Sequence, residues 1–234
     1  MHFNNKGIRA HARYLLDDNI LGKDWIKGAC THIMIDFIIC LLAYLLYATF
    51  IINFIILVFT IFLTNSVILA YFLATMALLA IPLSLSVIIG PISVGIASVY
   101  IDLVRGNGQI KIRKFFCGFR NFFSNAVLAV MCIIQVALWS FFFIIPGIYV
   151  AYSYALVFHV KKDNPNYRWK QCLDESERLM EGNRWNLFKL QVSHIGWFLL
   201  GLAFILVGSY WAMPYYHTSI ALFYDQVRFE KGIR

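Results

Sequence analysis

The sequence predicts an all-α fold, a polytopic transmembrane helical bundle with about six spans in three in-out-in hairpins. Hydrophobic residues make up 61% of the 234 residues and charged residues only 14%, whereas soluble domains are about 25% charged. Long uncharged tracts supply several stretches of the roughly 20 apolar residues that one span requires. We therefore expect a single membrane domain.

The basic residues lie in four clusters between these tracts, and their spacing predicts the topology. The 20 Lys and Arg residues fall within residues 1–27, 105–120, 161–189 and 228–234. Short cytoplasmic loops are enriched in Lys and Arg, so an even number of crossings between clusters puts every basic residue on that side. We therefore expect a multi-pass protein of the plasma or inner membrane with both termini in the cytoplasm. The net charge of +8 fits anionic membrane lipids better than nucleic acid.

These clusters divide the chain into three predicted segments. They are a cytoplasmic amphipathic N-terminus (1–27), a transmembrane domain (28–228) with cytoplasmic loops at 105–120 and 161–189, and a cytoplasmic tail (229–234). The outer turns are expected near residues 64–66, 145–147 and 208–214, which are short and uncharged.

The first hairpin is the longest, because residues 28–104 exceed two minimal spans and contain Asn53, Pro82 and the pair Gly90 and Pro91. Three crossings also fit this length, but an odd number would move at least one basic cluster to the outside. We therefore predict two long, broken helices here, with four short crossings as the alternative.

Two cytoplasmic segments have the spacing of amphipathic helices. In residues 5–18, Ile8, Ala12 and Leu15 share one face, and a solvated helix is the alternative. Asn164 is placed to cap a second helix that ends at Gly182. Basic side chains on these helices and on the loop between them are candidates for lipid contact: Arg9, Arg13, Lys111, Arg113, Lys114, Arg168, Lys170 and Arg178.

The segments that begin at Pro91 and Pro214 share Pro, Asp, Val and Arg at equal offsets, which suggests an internal duplication. Each predicts an ion pair at a helix end, Asp102 with Arg105 and Asp225 with Arg228, because residues three apart are neighbours on a helix. In the fourth span, the small residues Gly147, Ala151 and Ala155 recur every four positions and predict close helix packing.

The most unusual polar residue is Asp36 in the first span, because a carboxylate within a membrane is costly unless paired or hydrated. His32 lies four residues earlier, on the same helical face. The pair could bind substrate, relay protons or bind a metal, and the alternative is a structural hydrogen-bonded pair. We expect no metal site, and structural roles for His159, His194 and His217.

Several segments carry a family resemblance. IPGIYVAYSYAL from Ile145 and ESERLMEGNRWNLFKL from Glu175 resemble signatures of a bacterial integral membrane family known as domain of unknown function nine-seven-five. IRAHARYLL from Ile8, SHIGWFLLG around Trp197 and PYYHTSIALFY from Pro214 fit the same pattern in order. That family is similar to the membrane domain of some glycerophosphodiester phosphodiesterases. The resemblance implies a six-helix-like membrane protein without catalytic residues to transfer.

No phosphate-binding loop, dinucleotide-binding turn or hydrolase nucleophile elbow occurs in the sequence. We therefore expect a non-enzymatic module without a cofactor, which binds anionic lipid or a membrane protein partner, or a second copy of itself, at its cytoplasmic face. The first alternative is a small transporter or exporter component that uses His32 and Asp36. The second is a lipid-modifying membrane enzyme.

Overall fold

The computed structural model describes residues 5–16, 22–64, 67–106, 110–203 and 207–232, which form helices and contain no strand. The all-α prediction is therefore confirmed for this part of the chain. The elements, in order, are α1 (Asn5–Leu15), α2 (Lys23–Thr64), α3 (Val67–Val104), α4 (Ile112–Phe115), a 3-10 helix (Phe116–Asn121), α5 (Phe122–Phe142), α6 (Ile144–Ser153), α7 (Val157–Asp163), α8 (Trp169–Met180), α9 (Arg184–Ala203) and α10 (Val207–Glu230).

Four stretches of the described residues are long and apolar enough to cross a membrane. They are Lys23–Ile55, Val87–Val104, Ile112–Phe142 and Ile144–Asp163. The chain is therefore an all-helical membrane protein by the length and composition of its helices. The last hairpin, α9 and α10, is helical as well and carries more polar side chains.

The first hairpin consists of two long helices, α2 with 42 residues and α3 with 38. At about 1.5 Å per residue, each is about twice as long as the roughly 30 Å hydrocarbon core of a bilayer. The expected breaks at Asn53, Pro82 and Gly90 are absent, because both helices run through these positions. A proline inside a span removes one backbone hydrogen bond, and neighbouring structure can compensate for it. The predicted turn at residues 64–66 lies mostly outside the described residues.

The other two outer turns differ in position from the prediction. Phe143 is extended, with φ −155° and ψ 141°, and separates α5 from α6 just before residues 145–147. Pro146 therefore lies in the first turn of α6, where its missing amide costs little. The prediction of a turn at residues 208–214 is wrong, because α10 begins at Val207 and contains Pro214. The tight contact of Pro214 with Gly28 places it within the bundle, where a Cβ on Gly28 would lie 2.7 Å from the proline ring.

The fourth predicted span is interrupted between α6 and α7. The carbonyl of Ser153, the last residue of α6, accepts a hydrogen bond from the Ser176 hydroxyl at 2.9 Å. Arg184 Nε donates to the Ser153 hydroxyl, also at 2.9 Å. Side chains of α8 and α9 thus satisfy backbone and side-chain oxygens that the interruption would leave buried without partners.

Both predicted amphipathic helices form, and both pack their apolar faces on the bundle. In α1, Ile8 and Ala12 are buried against α10 and its neighbours. The second helix starts at Trp169, with Arg168 as its N-cap residue, whereas Asn164 was the expected N-cap. The reason is the buried ammonium of Lys161, which donates to the carbonyls of Pro165 at 2.9 Å and Tyr167 at 2.6 Å and so fixes a loop before the helix.

Backbone contacts without intervening side chains hold α3 against α4 and the 3-10 helix. A Cβ on Gly95 would lie 1.7 Å from the Phe115 carbonyl oxygen, and one on Gly118 would lie 1.9 Å from the Pro91 carbonyl oxygen. A Cβ on Gly90 would likewise lie 2.2 Å from the Asn125 carbonyl oxygen. These close approaches require glycine, and they fix α4 and the 3-10 helix against the end of α3 that carries the charged residues.

Candidate functional site at the charged end of the bundle

The charged ends of several helices meet in one ion cluster around Asp163, the last residue of α7. Arg105 donates to both carboxylate oxygens of Asp163, each at 2.8 Å, and to Asp225 at 2.6 Å. Arg228 also donates to Asp163, and the Tyr224 hydroxyl donates to it at 3.0 Å. We call Arg105, Asp163, Asp225, Arg228 and Tyr224 the Asp163 cluster. It joins α3, α7 and α10, and its carboxylates raise the pKa of Arg105 above its usual value through hydrogen bonds, first from Asp163.

A second ion cluster lies beside the first. Asp102 accepts hydrogen bonds from Lys114 at 2.9 Å and Lys162 at 2.8 Å, and so links α3 with α4 and α7. The four residues predicted to pair within their own helices, Asp102 with Arg105 and Asp225 with Arg228, instead pair between helices in the part of the chain that the structure describes. Partners from other helices give these charges more hydrogen bonds than one neighbour three residues away can provide.

A column of aromatic and histidine rings leads from the Asp163 cluster into the bundle. The His159 ring lies 5.4 Å from that of Tyr224, and His217 precedes Tyr224 by two helical turns on the same face of α10. His217 stacks on His32 at 5.0 Å and on Tyr100 at 5.4 Å between ring centroids. We call Tyr224, His159, His217, His32 and Tyr100 the histidine–tyrosine column.

The two residues of the predicted intramembrane pair have different partners. His32 Nε2 lies 3.1 Å from the Tyr100 hydroxyl, within the column. Asp36 is half-buried and forms a side-chain hydrogen bond with Tyr210 of α10. Both residues therefore face α10 and α3, and their substrate or proton role stays a prediction. In the described residues, no group of three or more His, Cys, Asp and Glu side chains could hold a metal ion.

The eight basic residues proposed for lipid contact differ in their surroundings. Exposed side chains are Arg13, Lys111, Arg113, Arg168, Lys170 and Arg178. Of these, Arg178 pairs with Glu175 at 2.9 Å on α8. Lys114 is half-buried and bonded to Asp102, while Arg9 is half-buried with its Nε enclosed by protein. The remaining five exposed cations form no ion pair among the described residues.

An apolar crevice lies next to these basic side chains. It has a volume of about 210 Å³, lies between α2 and α3, and is also lined by Phe115, Phe116 and Phe119. Its lining contains no polar surface. Phe116 and Phe119 are 41% and 38% exposed, so they form the rim of the crevice.

The predicted small-residue stripe of the fourth span is used in part. Gly147 is buried, and a Cβ at this position would lie 2.1 Å from the Ser140 hydroxyl of α5. Ala155 is partly buried against the main core, whereas Ala151 is exposed. The stripe therefore packs α6 on α5 at one end only.

Residues 141–231 match the model of a family described as protein of unknown function (DUF975). The predicted resemblance is confirmed for this segment, which contains Asp163, most of the column and α8. No curated protein and no solved structure matches the chain. The similarity to the membrane domain of glycerophosphodiester phosphodiesterases stays a prediction.

Sequence reasoning missed Asp163 and Tyr100, and it assigned only structural roles to His159 and His217. Asp163 is one of only 12 acidic residues in the chain, and it directly follows an apolar stretch that ends in two lysines. A carboxylate at the end of a span is a signal that could have identified it, because such a group requires partners. Tyr100 carries no such signal, since tyrosines are common near both ends of spans.

Proposed function

We propose that this chain is a non-enzymatic module of the plasma or inner membrane that binds anionic lipid headgroups at its charged, cytoplasmic end. Its six spans, four of which are long and apolar enough by composition, would place both termini in the cytoplasm. One observation carries the proposal. Four aspartates at this end, Asp24, Asp102, Asp163 and Asp225, are occupied by contacts within the protein, while five exposed basic side chains form no ion pair among the described residues.

The distribution of partners supports this proposal. Asp24 accepts a hydrogen bond from the Ile110 amide at 3.3 Å, and Asp102, Asp163 and Asp225 bond to lysine and arginine of other helices. These four carboxylates are buried or half-buried, so the exposed acids of the described residues are Asp174, Glu177, Glu181 and Glu230. Each exposed Lys or Arg near an anionic membrane contributes about 1 kcal/mol of attraction. The attraction falls with salt, because it acts over about one Debye length.

The test replaces four exposed cations with glutamine: Arg13, Lys111, Arg168 and Lys170. In mild detergent, phosphatidylglycerol should raise the melting temperature of the unmodified protein more than phosphatidylcholine does, and high salt should weaken this preference. The quadruple glutamine variant should lose it. A matched control exchanges the same lysines for arginine and the arginines for lysine, which keeps the charge and should keep the preference. A preference that survives neutralisation, or that is absent from the unmodified protein, would contradict the proposal.

The histidine–tyrosine column supports a second candidate function, a component that moves protons or a small polar substrate. Ionisable and hydroxyl side chains are costly inside a membrane and mark conduction paths when they line up across a span. Here they extend from the Asp163 cluster to His32, with the bond between Asp36 and Tyr210 further along α2. A membrane protein partner or a second copy would be required if the column opens only in a complex.

Proton flux into proteoliposomes that contain a trapped pH dye tests this second function. The variants His32→Ala, Asp36→Asn and Tyr100→Phe should each reduce flux several-fold if the column conducts. Tyr44→Phe is the matched control, because Tyr44 lies on the same helix and is 66% exposed. Unchanged flux in all three variants, or no flux in the unmodified protein, would reject a proton path.

A further inference from the structure

The apolar crevice between α2 and α3 has the chemistry of a lipid-chain site. Its walls are aliphatic side chains, Ile38 and Leu42 from α2 and Ile88 from α3 among them. From Ile35 to Leu42 it extends along α2 for about 10 Å at 1.5 Å per residue. Such a slot fits part of one extended acyl chain, and it excludes a polar ligand because no polar group lines it.

The crevice is held open by the backbone of the surrounding elements. Phe115 and the 3-10 helix cannot move closer to α3, because Gly95 already meets the Phe115 carbonyl and Gly118 meets the Pro91 carbonyl. The Asn125 amide donates to the Gly118 carbonyl at 2.6 Å and fixes the 3-10 helix from the other side. The slot is therefore preformed, which lowers the cost of ordering when a chain binds.

The charge at the rim identifies the headgroup. Arg113 and Arg120 are exposed on the short segment that also carries Phe116 and Phe119, and neither forms an ion pair among the described residues. The neighbouring Lys114 is occupied by Asp102 at 2.9 Å. Two free guanidinium groups beside an apolar slot complement a phosphate joined to an acyl chain, because guanidinium binds phosphate in a bidentate geometry.

We propose that this crevice binds one acyl chain of an anionic phospholipid, with its phosphate held by Arg113 and Arg120. This site rests on the proposed function, since it supplies one specific, retained lipid in addition to the general attraction of the basic face. A lipid is the occupant that fits, because the slot is apolar along its length and its rim carries the charges of the cytoplasmic end.

The test fills the slot with a larger side chain and, separately, neutralises its two rim arginines. In Leu42→Trp the larger ring occupies the crevice, while Leu41→Trp places the same ring on the neighbouring position, which is 51% exposed. After extensive delipidation in detergent, native mass spectrometry should find one phosphatidylglycerol retained by the unmodified protein and by Leu41→Trp. In Leu42→Trp, the fraction of protein that retains this lipid should fall at least about tenfold. The double variant Arg113→Gln with Arg120→Gln should no longer prefer phosphatidylglycerol to phosphatidylcholine.

A second matched pair guards against misfolding. Ile88→Phe enters the slot from α3, and Ile89→Phe is its control at a position that is 40% exposed. Equal retention by both members of each pair would overturn the crevice site. The proposed function fails separately, because it concerns the salt-sensitive preference that depends on Arg13, Lys111, Arg168 and Lys170. If the salt-sensitive preference is absent while one lipid is retained, only the proposed function fails. If the preference is present while no lipid is retained, only the crevice site fails.

Discussion

The carboxylate of Asp163 is the residue on which most of the charged end depends. Its side chain is only 9% exposed, yet it accepts hydrogen bonds from Arg105, Arg228 and Tyr224. Three positive charges, those of Arg105, Arg228 and Lys162, surround this one carboxylate, so ionised Asp163 balances much of their mutual repulsion. Removal of one member of a buried ion pair leaves an uncompensated charge, which is more destabilising than loss of the whole pair.

Asp163→Asn should therefore lower the stability of the protein by about 3 kcal/mol, measured as a lower melting temperature in detergent. Asp174→Asn is the control, since Asp174 is exposed on α8 and should change the melting temperature little. Adding Arg228→Gln to Asp163→Asn should restore part of the loss, because one of the three repelling charges is removed. Equal melting temperatures for the two single variants would contradict this role of Asp163.

The reactivity of the Cys172 thiol provides a test of how α8 is packed. It is buried, and burial raises its pKa to about 11, so at pH 8 only about a thousandth of it is the reactive thiolate. In variants that keep a single cysteine, maleimide should label Cys172 in the folded protein far more slowly than Cys117, which is exposed. Labelling in dodecyl sulfate should be equal for both. Fast labelling of Cys172 in the folded protein would show that α8 is not packed as described.

At the scale of elements, glycine decides how closely helices approach. The contact of α3 with α4 and the 3-10 helix is made by backbone atoms. The position of the basic residues 111–120 relative to α3 is therefore fixed. This contact positions both the rim arginines and Lys114. A larger residue at these positions would force the backbones apart, and overpacking of this kind costs about 1 to 3 kcal/mol.

Gly95→Ala should therefore lower the melting temperature, because the added Cβ would lie 1.7 Å from the Phe115 carbonyl oxygen. Gly196→Ala is the matched control on α9, where nothing lies within 4 Å of the added atom. That change should raise stability by about 0.5 to 1 kcal/mol, since alanine favours helix more than glycine does. The same melting temperature for both variants would refute the close contact.

The amphipathic helices show how an element can be predicted correctly and its environment missed. The spacing of Ile8 and Ala12 predicted a helix, and α1 forms. The same spacing cannot distinguish a lipid surface from a protein surface, because both bury an apolar stripe. In the structure, α1 buries its apolar stripe against α10, which is a protein surface.

At the scale of the whole molecule, the contacts between helix ends define one charged end. The Ile110 amide bonds to Asp24, which joins the start of α2 to the segment after α3. The Asn5 amide bonds to the Asn186 carbonyl at 3.4 Å, and this places α1 beside the start of α9. Residues from all four basic clusters are therefore neighbours.

This arrangement predicts that residues 28–104 cross the membrane twice. Reporter fusions at residues 65 and 110 should report opposite sides, with residue 110 in the cytoplasm, because Ile110 and Asp24 lie at the same end of the bundle. A fusion at residue 231 should agree with the one at 110. An external residue 110 would contradict the topology and would leave the lipid proposal without its cytoplasmic face.

The sequence by itself determined the membrane class and the helices, because length, apolar composition and helical periodicity are properties of neighbouring residues. Only the tertiary structure decided which charges meet. The partners of Asp163 lie on α3 and α10, 58 and 65 positions away, and no local pattern encodes such a distance. The crevice and the histidine–tyrosine column arise in the same way, since each is formed by helices that are distant in sequence.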